Sequence, residues 1–518
     1  MSQWRMKPWQ FVFASASLCV GLGPFARVAQ AQDVGFAPTM TIQGRDLQAD
    51  VGVLERAYVA LHPGLYRYNT PAQTDGHFKE LRKRLDGPHT LAEAYLAFSE
   101  FAATVRCGHT FANPTNQRPG VQAALFERGS HRLPAEFLWR DGRILVTRDL
   151  TQDRSLPRGA VIDAIGGVPT ADILAKLMRI ARADGGNDAK RIDQLQVQGT
   201  ERYEAFDIFL PLYFPAIGDR MKLHTIAPDG KARDIEVPGL TYAQRLSQRR
   251  GENDATAGWR FDMRDAHVAV MTMPTWAVYD AKWDWQAWIE EAFARLAREP
   301  RDALVIDLRG NEGGSDVGDA ILPHLLDKSL AVVEPPRLVR YEKVPRELAV
   351  YLDTWDPSFK DWGDDAEPSA DRHFGQRWYR LREEGDTGAD DERIRKQIAP
   401  RAPRFPGRVF VLIDASNSSA TFQFAQRLRE TKLATLVGAP TGGNQRGING
   451  GAFFFLRLPN SGVELDLPLI ARFPSDGGQL PPDAGIAPDL LAIPTAQDIA
   501  QGRDVAKTAV RRALEATR

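Results

Sequence analysis

The stretch RVFVLIDASNSSATFQFAQRLRETK, residues 408–432, joins an apolar run to an amphipathic run through a turn that holds three serines. RVFVLI is typical of a buried strand, and the apolar residues after Ser419 recur at helical spacing. A serine at such a turn can act as a nucleophile, because the free N–H groups at a helix N-terminus favour negative charge nearby. Ser416, Asn417, Ser418 and Ser419 are also common cap and turn residues, and on this stretch alone capping is the simpler interpretation.

A second strand-to-helix turn occurs earlier in the chain, in LVIDLRGNEGGSDVG at residues 304–318. Its glycines, Gly313 and Gly314, allow the backbone to approach a bound atom closely. An ordinary turn is the alternative, since Asn311 and two glycines suffice to form one. Strand-like and helix-like runs alternate around both turns, for example HVAVMTMP, WQAWIEEAFARLA and ATLVG. This alternation predicts an α/β fold for residues 255–518.

Together, the two turns resemble the carboxyl-terminal processing serine peptidases, also called tail-specific proteases, a family that includes the core of the tricorn protease. VIDLRGNEGG is similar to the family's strand-and-glycine motif, and VLIDASNSSATFQFAQRLRETKLATLVGAPTGG to its nucleophile strand, helix and following strand. The resemblance spans residues 255–495 and implies a crotonase-like core of stacked ββα units. It also implies Ser419 as the nucleophile and the backbone N–H groups of Gly314 and Ala420 as the oxyanion hole.

The residue at the position of the family's usual general base differs in this chain. Many members use a lysine at the position that Asn444 occupies here, and no lysine lies between Lys432 and Lys507. A tricorn-like branch takes a histidine from a region before the core, which implies His109, in VRCGHTFANP. A neutral imidazole suits serine deprotonation near neutral pH, and a purely structural histidine is the alternative. Four other histidines have no supporting context: His62, His77, His324 and His373.

The acid that would orient the base is implied by a late segment, PPDAGIAPDLL, which resembles the part of the family where tricorn carries its acid. Asp483 is the candidate, and a simple turn aspartate after Pro482 is the alternative. Cys107, close to His109, is interpreted as a packing residue. No histidine–carboxylate spacing suggests a metal site, and the resemblance implies no cofactor.

The part of the chain before the core divides into two blocks. Helical spacing in LQADVGVLERAYVAL, HFKELRKRL and LAEAYLAFSEFAATV predicts an N-terminal helical region over 32–130. Hairpin signals at Asp141-Gly142 and Asp229-Gly230, with GAVIDAIGGVP between them, resemble a PDZ-like module over 134–240 that carries an insertion at 184–215. Within the core, 338–404 is interpreted as an insertion with some helix that could cover a cleft.

The first 31 residues, 1–31, have the pattern of an export signal. Arg5 and Lys7 precede the apolar segment FVFASASLCVGLGPFA, and the small-residue site AQA ends at Ala31. Cleavage there would place the mature chain, beginning at Gln32, in the periplasm or outside the cell. The mature chain would keep one cysteine and so no internal disulfide. No later run approaches the length of a membrane span.

Composition narrows the possible partners. The 518 residues carry 66 basic and 67 acidic side chains, a net charge of −1, which gives no reason to expect nucleic acid or an anionic membrane. The expected partner is a peptide or protein substrate, and the oligomeric state stays open. We therefore expect an exported serine peptidase. The alternative is a non-catalytic protein that binds a peptide or an apolar ligand on the same fold, as a retinoid-binding relative does.

Overall fold

The computed structural model describes residues 37–250, 256–370, 372–382, 394–474 and 480–516. The expected export signal, 1–31, lies outside the described residues. Within the described ranges, no helix is both long and apolar enough to cross a membrane.

Helices form most of the described N-terminal region. They are α1 (Gly44–Leu61), α2 (Pro71–Arg84), α3 (Leu91–Thr104) and α4 (Pro119–Leu125), with the short paired strands β1 (Thr41–Ile42) and β2 (His89–Thr90). Both α2 and α3 begin at a capping box, in which Thr70 and Thr90 exchange hydrogen bonds with Gln73 and Glu93. These boxes satisfy N–H groups that a helix start would otherwise leave without partners.

An antiparallel sheet follows, and we call it the antiparallel block. Its strands are β3 (Ala135–Arg140), β4 (Arg143–Asp149), β5 (Val161–Ile165), β6 (Val168–Pro169), β7 (Arg220–Ile226) and β8 (Ala232–Pro238), paired in the order β3-β4-β5-β7-β8 with β6 on β5. Its helices are α5 (Thr170–Leu177), α6 (Asp188–Gln194), α7 (Ala205–Tyr213) and α8 (Tyr242–Ser247). Asp141 and Gly142 both have positive φ, 50° and 73°, as a tight hairpin turn requires.

The remaining elements belong to the second half of the chain. The strands are β9 (Arg260–Asp262), β10 (Val268–Thr272), β11 (Ala303–Asp307), β12 (Leu330–Glu334), β13 (Leu338–Val339), β14 (Leu352–Asp353), β15 (Ala366–Pro368), β16 (Tyr379–Leu381), β17 (Ile394–Ile398), β18 (Arg408–Ile413), β19 (Thr435–Gly438), β20 (Ile448–Arg457), β21 (Glu464–Arg472) and β22 (Leu490–Leu491). The helices are α9 (Trp285–Arg298), α10 (Gly318–Ile321), α11 (Arg346–Ala349), α12 (Ser419–Thr431), α13 (Ala496–Ala500) and α14 (Val505–Glu515).

A largely parallel sheet with the order β22-β19-β18-β11-β10-β9 positions the two predicted turns. β11 and β18 are neighbours and run parallel, with Asp307 opposite Leu412 at their carboxyl ends. Every residue of β11 is buried, which is typical of a strand covered on both faces. Because both strands end at the same edge, the turns that follow them meet there.

The segment 338–404 differs from the sequence-based expectation. Its strands β13 to β16 join β20 and β21 in a sheet of order β14-β20-β21-β13-β16-β15, and β17 pairs with β12. Leu338 and Trp378 are fully buried there, so part of the described segment belongs to a core. Helix α1 packs against the same sheet, where the Asp50 carboxylate accepts hydrogen bonds from the backbone N–H groups of Asn460 and Ser461 at 3.0 and 2.8 Å.

Candidate active site

The loops after β11 and β18 form one hydrogen-bonded unit. The Asn417 side chain donates to the carbonyl oxygens of Leu308 and Asn311 at 2.6 and 3.0 Å, and the Thr421 hydroxyl donates to the Asn311 carbonyl at 3.0 Å. Asn311, Asn417 and Thr421 are fully buried, so these bonds satisfy polar groups that water cannot reach. The relative position of the two loops is therefore fixed by buried contacts.

The structure distinguishes the three serines of the second turn. The Ser416 hydroxyl donates to Asp193 at 2.8 Å, and the Ser418 hydroxyl donates to the Glu312 carbonyl at 3.1 Å. Ser418 is the N-cap residue of α12, but its side chain makes no capping bond. The Ser419 hydroxyl has no hydrogen-bond partner within the described part of the chain. Ser419 also has a φ of 50°, a strained value for a non-glycine residue that is found at nucleophile turns.

The glycines of the first turn lie against this serine. A Cβ atom at Gly313 would come within 2.9 Å of the Ser419 Cβ and 3.0 Å of the Ala420 nitrogen. A Cβ atom at Gly314 would come within 2.4 Å of the Trp276 carbonyl oxygen. Their φ angles are 104° and 133°, so only glycine fits either position without strain. Gly313 thus touches the serine directly, and Gly314 and Ala420, the two expected oxyanion-hole residues, lie next to this contact in the chain.

His109 lies in the loop after α3, beside β20. Its ring centroid is 5.7 Å from that of Phe453, and a Cβ atom at Gly450 would lie 3.8 Å from its Cε1. Burial lowers the pKa of His109, although the nearby carboxylate of Asp184 acts to raise it. Glu312, the residue before Gly313, also interacts electrostatically with the imidazole. The structure therefore brings a neutral imidazole toward the loop that touches Ser419.

A buried histidine supports the loop that carries His109. His62 accepts a hydrogen bond from the Gly64 N–H at its Nδ1, 3.0 Å away, and its Nε2 lies 2.7 Å from the Thr110 hydroxyl. Since Nδ1 accepts, we assign the proton to Nε2, which donates to Thr110. Burial lowers the pKa of His62 to about 3, so this ring stays neutral and structural.

The other end of the same loop is anchored on β21. The Asp466 carboxylate accepts hydrogen bonds from the side chains of Asn113 and Asn116 at 2.7 and 2.9 Å. Cys107 is buried and accepts a weak bond from the Asn449 side chain at 3.4 Å. Burial raises the pKa of the Cys107 thiol to about 11, which leaves it unsuited to nucleophilic attack.

Asp483, the expected acid, makes no hydrogen bond to His109 among the described residues. Its Oδ1 accepts hydrogen bonds from the Gly186 N–H at 2.7 Å and from the Asn444 side chain at 2.8 Å. Among the described residues, the buried Nδ1 of His109 has no hydrogen-bond partner. Asn444 stands where many relatives have a lysine, and its side-chain amide donates a hydrogen bond to the Asp483 carboxylate. Asp483 thus ties the segment around Gly186 to the core.

Sequence reasoning missed a cluster of charges beneath the second turn. Lys190, on α6, donates to Glu312 at 2.5 Å and to the Ser416 carbonyl at 3.0 Å. Partial burial acts to raise the pKa of Glu312, but Lys190 and Arg182 outweigh it and lower that pKa to about 2. Glu312 could have been noted from its place beside the glycines. Lys190 is far away in the sequence, and nothing in its own segment indicates this position.

Comparisons with known proteins agree with this geometry. Residues 267–492 match the model of peptidase family S41, and this range contains both turns. No curated protein matches the chain. The solved structure of mature CPAF complexed with lactacystin is similar over 91% of this chain and 97% of that one, with a TM-score of 0.59 at 15% identity. Mature CPAF alone is similar over 88% and 94%, with a TM-score of 0.54 at 16% identity.

Identities this low indicate a shared fold and nothing more, whereas the family model matches the strands and turns that build the site. The mixed α/β fold is therefore that of S41 peptidase structures. The resemblance seen in the two turns is confirmed for the second half of the chain, where residues 267–492 match peptidase family S41.

Proposed function

We propose that the protein is an exported serine peptidase in which Ser419 attacks a peptide carbonyl and His109 accepts its proton. The observation that carries the proposal is the geometry of Ser419. Its uncommitted hydroxyl lies at a strained helix start, against Gly313, and the residue before Gly313, Glu312, interacts electrostatically with His109. The match of residues 267–492 to peptidase family S41 supports the serine type of peptidase.

The proposed reaction has two halves. In the first, the Ser419 oxygen bonds to the carbonyl carbon as its proton passes to His109, and the N–H groups of Gly314 and Ala420 stabilise the oxyanion. The imidazolium returns the proton to the leaving amine as the peptide C–N bond breaks. In the second half, water gives its proton to His109 as its oxygen bonds to the acyl carbon. The bond from that carbon to the Ser419 oxygen then breaks as His109 returns the proton to Ser419, which releases the second product.

Labelling with a serine-reactive fluorophosphonate tests this function. Wild type should label covalently, and Ser419→Ala should lose both labelling and peptide hydrolysis while keeping its melting temperature. Ser418→Ala is the matched control, because it removes the neighbouring hydroxyl of the same turn and should still label. Loss of labelling in Ser418→Ala alone would move the nucleophile by one residue. A folded wild type that never labels would instead favour the non-catalytic binding function.

The finer architecture also belongs to this proposal. We assign the antiparallel block to a PDZ-like module, supported by its antiparallel sheet and by α5 after the strand GAVIDAI. We assign the parallel sheet and its helices to a crotonase-like core. In this arrangement the segment 184–215 is an insertion in the module, and it supplies α6 to the core.

A further inference from the structure

The ammonium group of Lys190 is buried beneath the candidate active site. Lys190 is only 4% exposed. Its Nζ donates to the Glu312 carboxylate at 2.5 Å and to the Ser416 carbonyl at 3.0 Å, and it lies 4.0 Å from the Asp193 carboxylate. A buried ammonium is costly unless such partners satisfy it, so its position is well determined.

The two acceptors of this ammonium belong to the two different loops of the site. Glu312 directly precedes Gly313, which touches Ser419, and the Ser416 carbonyl belongs to the turn that delivers Ser419. The Ser416 hydroxyl donates to Asp193, on the same helix as Lys190, at 2.8 Å. Helix α6, which lies outside the core sheet, is thus hydrogen-bonded to both the glycine loop after β11 and the serine turn after β18.

Helix α6 does not depend on Lys190 to stay in place. The Asn187 side chain donates to the carbonyl oxygens of Thr441 and Gly443 at 2.9 and 2.7 Å, and Gly186 N–H donates to Asp483. The two loops also share buried bonds of their own through Asn417 and Thr421. Removing the Lys190 ammonium should therefore loosen the link between the loops without undocking the helix.

We propose that Lys190 is a positioning residue for the peptidase reaction, holding the glycine loop against the serine turn so that the oxyanion N–H groups point at the reacting carbonyl. This inference rests on the proposed function. Lys190 makes no hydrogen bond to Ser419 in the described contacts, so it acts through Glu312 and Ser416 and does not itself take up a proton. Because the oxyanion develops only in the transition state, the loss of Lys190 should lower turnover more than it weakens substrate binding.

Steady-state kinetics of Lys190→Met provide the first test, since methionine keeps an unbranched chain without the charge. We expect kcat to fall by about 10- to 100-fold with KM within about twofold of wild type, because a misplaced oxyanion donor costs turnover on this scale. Glu312→Gln should cause a similar loss. The double variant should lose no more than either single variant, since both changes break the same link. Lys222→Met, at an exposed lysine of the antiparallel block, is the matched control and should keep wild-type kcat.

Hydrogen exchange provides a test that needs no activity. Amides in segments 308–316 and 414–422 should exchange faster in Lys190→Met than in wild type, while Lys222→Met leaves them unchanged. Unchanged exchange in both segments overturns the proposal, as does a kcat of Lys190→Met within twofold of wild type or losses that multiply in the double variant. A wild type that fails to label with fluorophosphonate overturns the peptidase function instead, and the exchange measurement still decides on Lys190.

Discussion

At the scale of single residues, the protonation of His109 sets the pH dependence of the proposed reaction. Burial lowers the pKa of this imidazole below its ordinary value of 6.5. A base must be neutral to act, so kcat/KM should fall toward acid pH as His109 becomes protonated, with the midpoint of that fall below pH 6.5. A pH–rate profile measures the midpoint directly. An acidic limb centred above pH 7 would contradict the assignment.

Removal of the base is the complementary prediction. His109→Ala should lower kcat by roughly 10²- to 10⁴-fold with folding intact, whereas His77→Ala, on α2, should have little effect. Asn444→Lys should not rescue the loss, because the Asn444 amide is 3% exposed and already bonds Asp483 and the Asp184 carbonyl. The test is the turnover of His109→Ala, of His77→Ala, of Asn444→Lys, and of the double variant that combines His109→Ala with Asn444→Lys. A His109→Ala enzyme that keeps most of its activity would exclude the mechanism.

The sequence supports some of these residues better than others. The positions of Ser419, Gly313 and Gly314 in strand-to-helix turns are predictable, because the strand, turn and helix of each motif follow one another directly in the sequence. Asp483 is a weaker case, since a turn aspartate and an orienting acid look the same in sequence, and here the carboxylate bonds Asn444. Lys190 could not be found, because its partners Glu312 and Ser416 become its neighbours only through the tertiary fold.

At the scale of elements, the loop from Cys107 to Gln117 holds the base through its anchor on β21. Asp466→Ala removes the acceptor of two half-buried amides, Asn113 and Asn116, and losing such a hydrogen bond costs about 1 kcal/mol each. We expect a lower free energy of unfolding, faster hydrogen exchange in this loop and a reduced kcat. Denaturant titration and exchange of Asp466→Ala measure these effects. Asp353→Ala, which removes an exposed carboxylate on β14, is the control, and equal effects from both would count against a specific anchor.

The elements differ in how well their sequences predict them. β11 and β18 are continuous apolar runs bounded by turn residues, so they are readily recognised as buried strands. The strands within 338–404 are harder to recognise, for the opposite reason. β13 to β16 are strands of only two or three residues, too short to show a period, and they form because β20 and β21 offer a sheet to join.

At the scale of the whole molecule, buried acids make stability depend on pH. Burial raises the pKa of Glu204 to about 8 and those of Asp414 and Glu464 to about 7. Between pH 6.5 and 8.5 the unfolded chain has already lost these protons while the folded chain still binds some, so stability should fall as pH rises. Glu204→Gln should flatten the fall, because the amide oxygen can still accept from Gly199 N–H. Melting temperatures at both pH values test this, and a rise toward pH 8.5 in wild type would contradict it.

Export is also a property of the whole molecule. We propose that residues 1–31 are removed, so that amino-terminal sequencing of the protein from its native host begins at Gln32. The positive start, the apolar segment and AQA motivate this prediction. Replacing Ala29 and Ala31 with bulky residues should block processing. An intact Met1 in a membrane fraction would indicate an anchor instead.

In the proposed mechanism, the distance along the chain between His109 and Ser419 would keep the enzyme inactive during its synthesis. A chain that emerges from its amino end presents the base long before the serine turn exists, and the parallel pairing of β11 with β18 must wait for both strands. A protease built this way would be silent while it is still being made or passed through a translocation channel. Its activity would begin only when nearly the whole chain has arrived, which protects both the nascent protein and the machinery that handles it.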